Sequence, residues 1–376
     1  MKHLSVARVP PNPQSFFLDL AAQCETLHVD KQDMYNDYDQ AVDTSKLRAF
    51  EAEVAAFIGK EEGIFVPSGC MAQNMVLAMG KEKSLSPHFV CHWSSHLLIH
   101  EFDSWKHLLH MNALVLPPKQ DQAIQDPFTY EGFMKIVHDN PDKKISVVIV
   151  ECPHREIGGK ITSWEDLVKI STYCREHNIH LHMDGARLWE AQAAYEGHSL
   201  HELSALFDTI YVSFYKGIGG ITGAMLLGKS FFIADSRPWL RRFGGNLFSH
   251  MPYYVSCLSC FRQNKDSFQE RKVKFVEVVQ HLQQQLLSTA ANSVEGKTAI
   301  FFDPPLPLVS LVHVYMLGDL ATVTEANNRA AQRCQVQCFS RFRAGRFGAQ
   351  DYCYSEVNMV STSSIAPFHP TQSYLF

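Results

Sequence analysis

The chain has 376 residues, is 46% hydrophobic and 19% charged, and carries a formal net charge of −5, a composition that suits a folded protein with one large core and room for a lesser one. The mild acidity and the lack of a basic run argue against a nucleic-acid or anionic-membrane surface, and no apolar run reaches the ~18 residues of a membrane-spanning helix. The opening "MKHLSVARVPPNPQSFF" lacks the apolar segment of a secretion signal, and ten cysteines without a small-scaffold spacing read as reduced thiols, so a cytoplasmic protein is expected.

Residues 1–45, with "PPNP", read as an arm. "KLRAFEAEVAAFIG" (46–59) has helical periodicity and stops at Gly59. "GIFVP" (63–67) is a short strand, and "SGCMAQNMVLAMG" is a helix opened by Ser68 and Gly69. "HFVCHW" (88–93) and "ALVLP" (113–117) are strand-like, and "KISVVIVECP" (144–153) is apolar throughout, as a strand covered on both faces must be. A helix over 163–178 is predicted, with Ser163 and Asp166 as a capping box. "IHLHMDGA" (179–186), "DTIYVSF" (208–214) and "GAMLLG" (223–228) are further strands, with a helix in "SLHELSALF" before the second. Strands alternating with helices predict a mostly parallel α/β sheet. One long polar helical segment is expected over 254–290, followed by a smaller α+β region. The expected division is an arm (1–45), a large domain (46–245) and a small C-terminal domain (246–376).

Ligands of open parallel sheets bind beyond the carboxyl ends of the strands. Three such ends carry suggestive groups. Ser68 and Gly69 stand where a strand meets a helix N-terminus, a place for a phosphate. Asp184 ends the strand "LHMDGAR", and Lys216 follows the strand in "VSFYKG". Each has a plain reading: a turn, a helix cap, an exposed loop lysine. Together, in this order, they match pyridoxal 5'-phosphate, which needs a lysine for its Schiff base and an acid facing its ring nitrogen.

"MDGARLWEA", "FVPSGCMAQN" and "YKGIGG" resemble the threonine aldolase and β-eliminating lyase family, with its aspartate-aminotransferase-like, fold type I architecture. "DMYNDYD" and "LRAFEAEVAAFIGKEEGIFVPSG" resemble that family's N-terminal part. "REIGGK", "SWEDL" and "SFYKG" place the likeness nearest a threonine-aldolase-like branch. The resemblance implies Lys216 as the Schiff-base lysine, Asp184 as the partner of the pyridine nitrogen and Arg187 close to the cofactor. It implies Ser68, Gly69 and Cys70 around the phosphate, His96 stacked on the ring, and His154 as a second active-site histidine. His96 and His154 are both candidate bases. The family commonly has Ser before its lysine where this chain has Tyr215. Its early Arg-Ser-Asp is replaced by "LAAQCE", and its C-terminal carboxylate-binding arginine has no evident match in "YCYSEVNMVSTSS". Arg187, Arg155, Arg241 and Arg242 are the candidate anchors for a substrate carboxylate.

The expected activity is that of a lyase cleaving a small β-hydroxy-α-amino acid to glycine and an aldehyde. β-Elimination, transamination, and a cofactor-binding regulator without turnover are the alternatives. A homodimer or homotetramer is implied by the resemblance alone. His92, His96 and His100 would share one face if helical, as metal ligands do. His92 falls at a strand end and no carboxylate joins at a metalloprotease spacing, so no metal is expected. "CLSC" (257–260) reads as core packing.

Overall fold

The computed structural model describes residues 2–3, 12–34, 45–287, 293–294, 296–337, 339 and 341–359. The large sheet is built from β1 (Glu62–Val66), β2 (His88–His92), β3 (Asn112–Leu116), β4 (Ile145–Glu151), β5 (His180–Gly185), β6 (Thr209–Ser213) and β7 (Ala224–Gly228), in the spatial order β1-β7-β6-β5-β4-β2-β3. β6 through β3 run parallel, and β7 is antiparallel to both its neighbours, β1 and β6. All seven residues of β4 are buried. Val148 and Val150 enter one apolar cluster, while Val147 and Ile149 enter the other, on the opposite face. This two-sided burial is why β4 reads as a continuous apolar run.

Helices cover both faces. α1 (Pro13–Thr26) packs on α8 (Met251–Asn264). α2 (Lys46–Ile58) starts on the Ser45 hydroxyl, which accepts from the Arg48 N–H, and stops at Gly59, whose φ of 85° is the left-handed cap that glycine favours. α3 (Gly69–Ser84) begins on Ser68, α4 spans Tyr130–Asp139 and α5 spans Trp164–Glu176. α6 (Leu200–Ala205) follows, then α7 (Ser230–Arg242). Ser163 does cap α5, but Asp166 does not close the box. Its carboxylate takes the Ser163 hydroxyl at 2.9 Å and the Tyr130 N–H at 3.2 Å, tying α5 to α4 instead. The complete capping box belongs to α6, between Ser199 and Glu202.

The expected long helix over 254–290 is two, α8 and α9 (Phe268–Leu287), with a turn at Lys265–Asp266 between them. Cys257 is buried in the large core, and Cys260 packs against it. Beyond α9 an antiparallel sheet forms from β8 (Ile300–Asp303), β9 (Leu311–Leu317), β10 (Arg343–Ala344) and β11 (Tyr352–Asn358), in the order β8-β9-β11-β10. α10 (Leu320–Cys334) links β9 to β10. Phe275, Val279, Phe302, Val312 and Val314 form the core of this part. No disulfide joins the nine cysteines among the described residues, and no described helix is long and apolar enough to cross a membrane.

α3 crosses the sheet closely at Gly80, where an added Cβ would lie 2.3 Å from Val147 Cγ2. Gly80→Ala is expected to destabilise the fold by about 1–3 kcal/mol through overpacking, with part of the loss restored in Gly80→Ala/Val147→Ala. Equilibrium urea unfolding measures both. An unchanged midpoint in the single variant would show that Val147 yields without cost.

Candidate active site

The parallel strands end on one edge of the sheet, and their carboxyl ends carry the chemistry. Asp184 closes β5 and is register partner to Glu151 on β4 and to Tyr211 on β6. Lys216 follows β6 by three residues. His96 and His154 follow β2 and β4. Ser68 and Gly69 lie between β1 and α3.

Asp184 is buried, only 1% exposed. Its Oδ1 accepts the Ala186 N–H at 3.1 Å and its Oδ2 accepts the Gln73 amide at 2.5 Å. Burial first and the Glu151 charge second raise its pKa, against the pull of Lys216 and His96. Glu151 behaves oppositely. Burial alone would raise it, but His154 and the N–H groups of Arg155 and His96 outweigh that and lower it. Both N–H groups reach the Glu151 carboxylate at 3.0 Å.

The half-buried Lys216 has its pKa pulled down to about 8, by burial first, then by the Arg187 charge. His96 begins a single helical turn, His96–Ile99, and its Nδ1–H donates to Glu101 Oε1 at 3.0 Å. Burial alone would lower the His96 pKa. Glu101, through its hydrogen bond and charge, together with Asp184 and Glu151, raises it instead. His154 is fully buried, with its Nε2 2.9 Å from Ser94 Oγ, which in turn lies 2.9 Å from His92 Nδ1.

At the start of α3 the Ser68 hydroxyl accepts from the Met71 N–H at 3.3 Å. The other first-turn N–H groups have no acceptor within the helix. Gly69 is forced: an added Cβ would stand 2.0 Å from the Tyr211 hydroxyl. The Cys70 thiol is pushed up to about 11, by burial first, then by Glu101 and Asp184, so it stays protonated and able to donate. Lys216 also acts on Cys70, which places the helix start, the carboxylate and the amine in one electrostatic neighbourhood.

The structure therefore brings Ser68, Gly69, Cys70, His96, Asp184, Arg187 and Lys216 together, with His154 behind them. Tyr215 is partly exposed, with the Lys216 Nζ 5.6 Å from its ring centre. The histidine triplet is not a helix face. His92 ends β2, His96 pairs with Glu101, and His100 pairs with Glu156 at 2.8 Å. No metal cluster forms among the described residues. Arg242 lies over the Trp239 ring in the last turn of α7, and neither it nor Arg241 borders the cavity beside His96. "LAAQCE" lies within α1. Of the C-terminal stretch, residues from Val360 onward lie outside the described residues, as do residues 35–44 of the N-terminal likeness.

Sequence reasoning missed Glu151, Glu101, Gln73 and Ser94. It also missed the segment 341–346, whose Arg341, Arg343 and Arg346 line a cavity of about 670 Å³ with His96, His100 and Arg155. Glu151 had one signal, a lone carboxylate at the end of an otherwise apolar strand.

The residues fit pyridoxal 5'-phosphate. The helix start offers N–H donors to a phosphate, and Lys216 is an amine of lowered basicity. Asp184 is a buried carboxylate whose raised pKa records an uncompensated charge, which a protonated ring nitrogen would compensate. Fold and site together define a pyridoxal-phosphate enzyme of fold type I. The model of the beta-eliminating lyase family matches residues 24–302, and the chain belongs to that family. Aldolase vrtJ of Penicillium aethiopicum is 33% identical over 218 residues, 56% of this chain and 52% of the other. A low-specificity L-threonine aldolase of Candida albicans is 29% identical over 215 residues, 54% of each chain. The matches thus span about half the length of these curated relatives. A Listeria monocytogenes EGD-E structure, provisionally assigned as an L-allo-threonine aldolase, superposes with a TM-score of 0.79 at 30% identity. That match covers 95% of this chain and 89% of the other.

The His96–Glu101 pair makes a direct prediction. Glu101→Gln removes the carboxylate whose hydrogen bond most raises the imidazole pKa, so the His96 titration midpoint should fall. Imidazole NMR of histidine-labelled protein reads it. A midpoint that stays put would assign the elevation to Asp184 and Glu151 instead.

Proposed function

We propose that the protein cleaves a β-hydroxy-α-amino acid between Cα and Cβ, giving glycine and an aldehyde. The observation that carries the reading is the placement of Asp184 and Lys216 beyond adjacent parallel strand ends, with His96 beside them. Threonine aldolases among the relatives supply the reaction class.

When bound, the cofactor supplies a protonated ring that accepts the electron pair released as a Cα bond breaks. The residues do the rest. Asp184 holds the ring-nitrogen proton by charge. Lys216, the proposed cofactor-carrying lysine, has a fraction of neutral amine near neutral pH because its basicity is lowered. Ser68, Gly69 and Cys70 hold the phosphate at the start of α3. Arg187, three residues after Asp184, is the fork for the α-carboxylate. His96 lines the cavity, takes the β-hydroxyl proton on Nε2, and is held in place through Nδ1 by Glu101. His154 is fully buried with its Nε2 committed to Ser94, which suits it to positioning rather than to proton transfer with substrate. Assembly as a homodimer or homotetramer belongs to the same reading.

His96 must be neutral to accept a proton, so kcat/KM should rise with pH through its elevated pKa. The cofactor-loaded protein should release glycine from L-threonine, L-allo-threonine, phenylserine or a related β-hydroxy amino acid. Borohydride reduction and peptide mapping should find the cofactor on Lys216. Asp184→Asn should lower turnover by on the order of 10²-fold or more with the thermal midpoint kept. Label on a different lysine, or near-normal turnover in Asp184→Asn, would overturn the assignment. Ammonia and a keto acid in place of glycine would move the reading to elimination.

A further inference from the structure

The cavity beside His96 is lined mostly by basic side chains. It holds about 670 Å³, and its borders include Arg155, Arg341, Arg343 and Arg346 together with His96 and His100. Its remaining lining residues are Ala344, Gly345 and Tyr354. A site built for a methyl or phenyl substituent would present apolar walls, because burying such a group against charged ones gains little.

The arginines that border the cavity are unequally paired. Glu156 is held by Arg155 at 2.9 Å, Arg343 at 3.6 Å and His100 at 2.8 Å. Glu356 is held by Arg155 at 2.6 Å and Arg187 at 3.6 Å. Both carboxylates have lowered pKa values against their burial: Glu156 through the His100 hydrogen bond and then Arg155 and Arg343, Glu356 through Arg187 and then Arg155. Arg341 and Arg346 form no ion pair with any described residue. Of the four guanidiniums that border the cavity, Arg155 and Arg343 are paired with Glu156 and Glu356, whereas Arg341 and Arg346 are not. With Arg187 proposed for the α-carboxylate, these two remain to receive a second anion on the substrate.

We propose that the substrate carries a second acidic group on its β-substituent, a carboxylate gripped by Arg346 and Arg341 at the cavity mouth. This rests on the aldol-cleavage reading above. 3-Hydroxyaspartate and 3-hydroxyglutamate represent the class. The β-hydroxyl proton passes to His96, the Cα–Cβ bond breaks as Cβ becomes a carbonyl, and the pair left at Cα takes up a proton. Glycine leaves with glyoxylate from the first substrate and with 3-oxopropanoate from the second, so no external oxidant or reductant is needed.

Two measurements test it. With cofactor-loaded protein, kcat/KM for 3-hydroxyaspartate or 3-hydroxyglutamate should exceed that for L-threonine by about tenfold or more, the worth of one charge-assisted hydrogen bond to an anion. In Arg341→Gln/Arg346→Gln that ratio should collapse toward one, chiefly through KM, and Arg341→Lys/Arg346→Lys should restore part of it. Independently of turnover, calorimetry should show succinate binding the parent about tenfold tighter than butyrate, with the difference lost in the double Gln variant. Equal or better use of threonine, or a dicarboxylate preference that survives the double Gln variant, overturns the proposal while leaving aldol cleavage standing. If no amino acid is cleaved, the aldol reading falls, and the succinate comparison alone decides whether the cavity selects dianions. Equal binding of succinate and butyrate overturns it.

Discussion

Two carboxylates, Glu151 and Asp184, are buried as direct register partners on neighbouring parallel strands, and the site is arranged around the cost of that pairing. Two like charges this close cannot both be fully ionised without compensation. The structure resolves the conflict asymmetrically. Glu151 receives two backbone N–H groups and lies beside His154, so it holds its charge. Asp184 receives one N–H and the Gln73 amide, and its proton affinity rises. The less stabilised carboxylate is the one placed where a ring nitrogen can complete it. Lys216 and His96 lie by this anionic pair, and its charge raises the proton affinity of each.

The same pairing separates what was legible in the sequence from what was not. Asp184 and Lys216 could be read because each stands at the end of an apolar run, and the α/β alternation says that such ends converge. Ser68 and Gly69 could be read because a strand-to-helix junction is a local event. Glu151 occupies an equally visible strand end, yet its role depends on β4 lying next to β5, which is a matter of sheet order. Glu101, five residues after His96, reads as an ordinary acidic residue until the chain between them turns. The capping box was placed at Ser163 by spacing alone. Spacing could not show that the Tyr130 N–H draws the Asp166 carboxylate away from it.

The arginines of 341–346 were illegible for a different reason. They stand on and around β10, a two-residue edge strand of the small sheet, and reach the site only because that sheet is folded against the ends of the large one. Nothing local in "SRFRAGRFG" marks it as part of a cavity rather than a solvated basic loop. The salt bridges of Arg155 and Arg187 to Glu356 on β11 join the two sheets, so the large sheet carries the proposed reactive amine and acid while the small one carries Arg343 and its neighbours at the cavity.

The Tyr211 hydroxyl that forbids a side chain at Gly69 belongs to the residue registered beside Asp184. One rigid strand therefore touches the start of α3 at one point and abuts the ring-facing carboxylate at another. The interval between the proposed anion seat and the proposed ring-facing acid then depends on the Tyr211 side chain and its strand. On the proposed reading this is a gauge: a molecule is accepted at both points only if its own anion and basic nitrogen stand at that interval, and shortening or lengthening it forfeits one contact or the other.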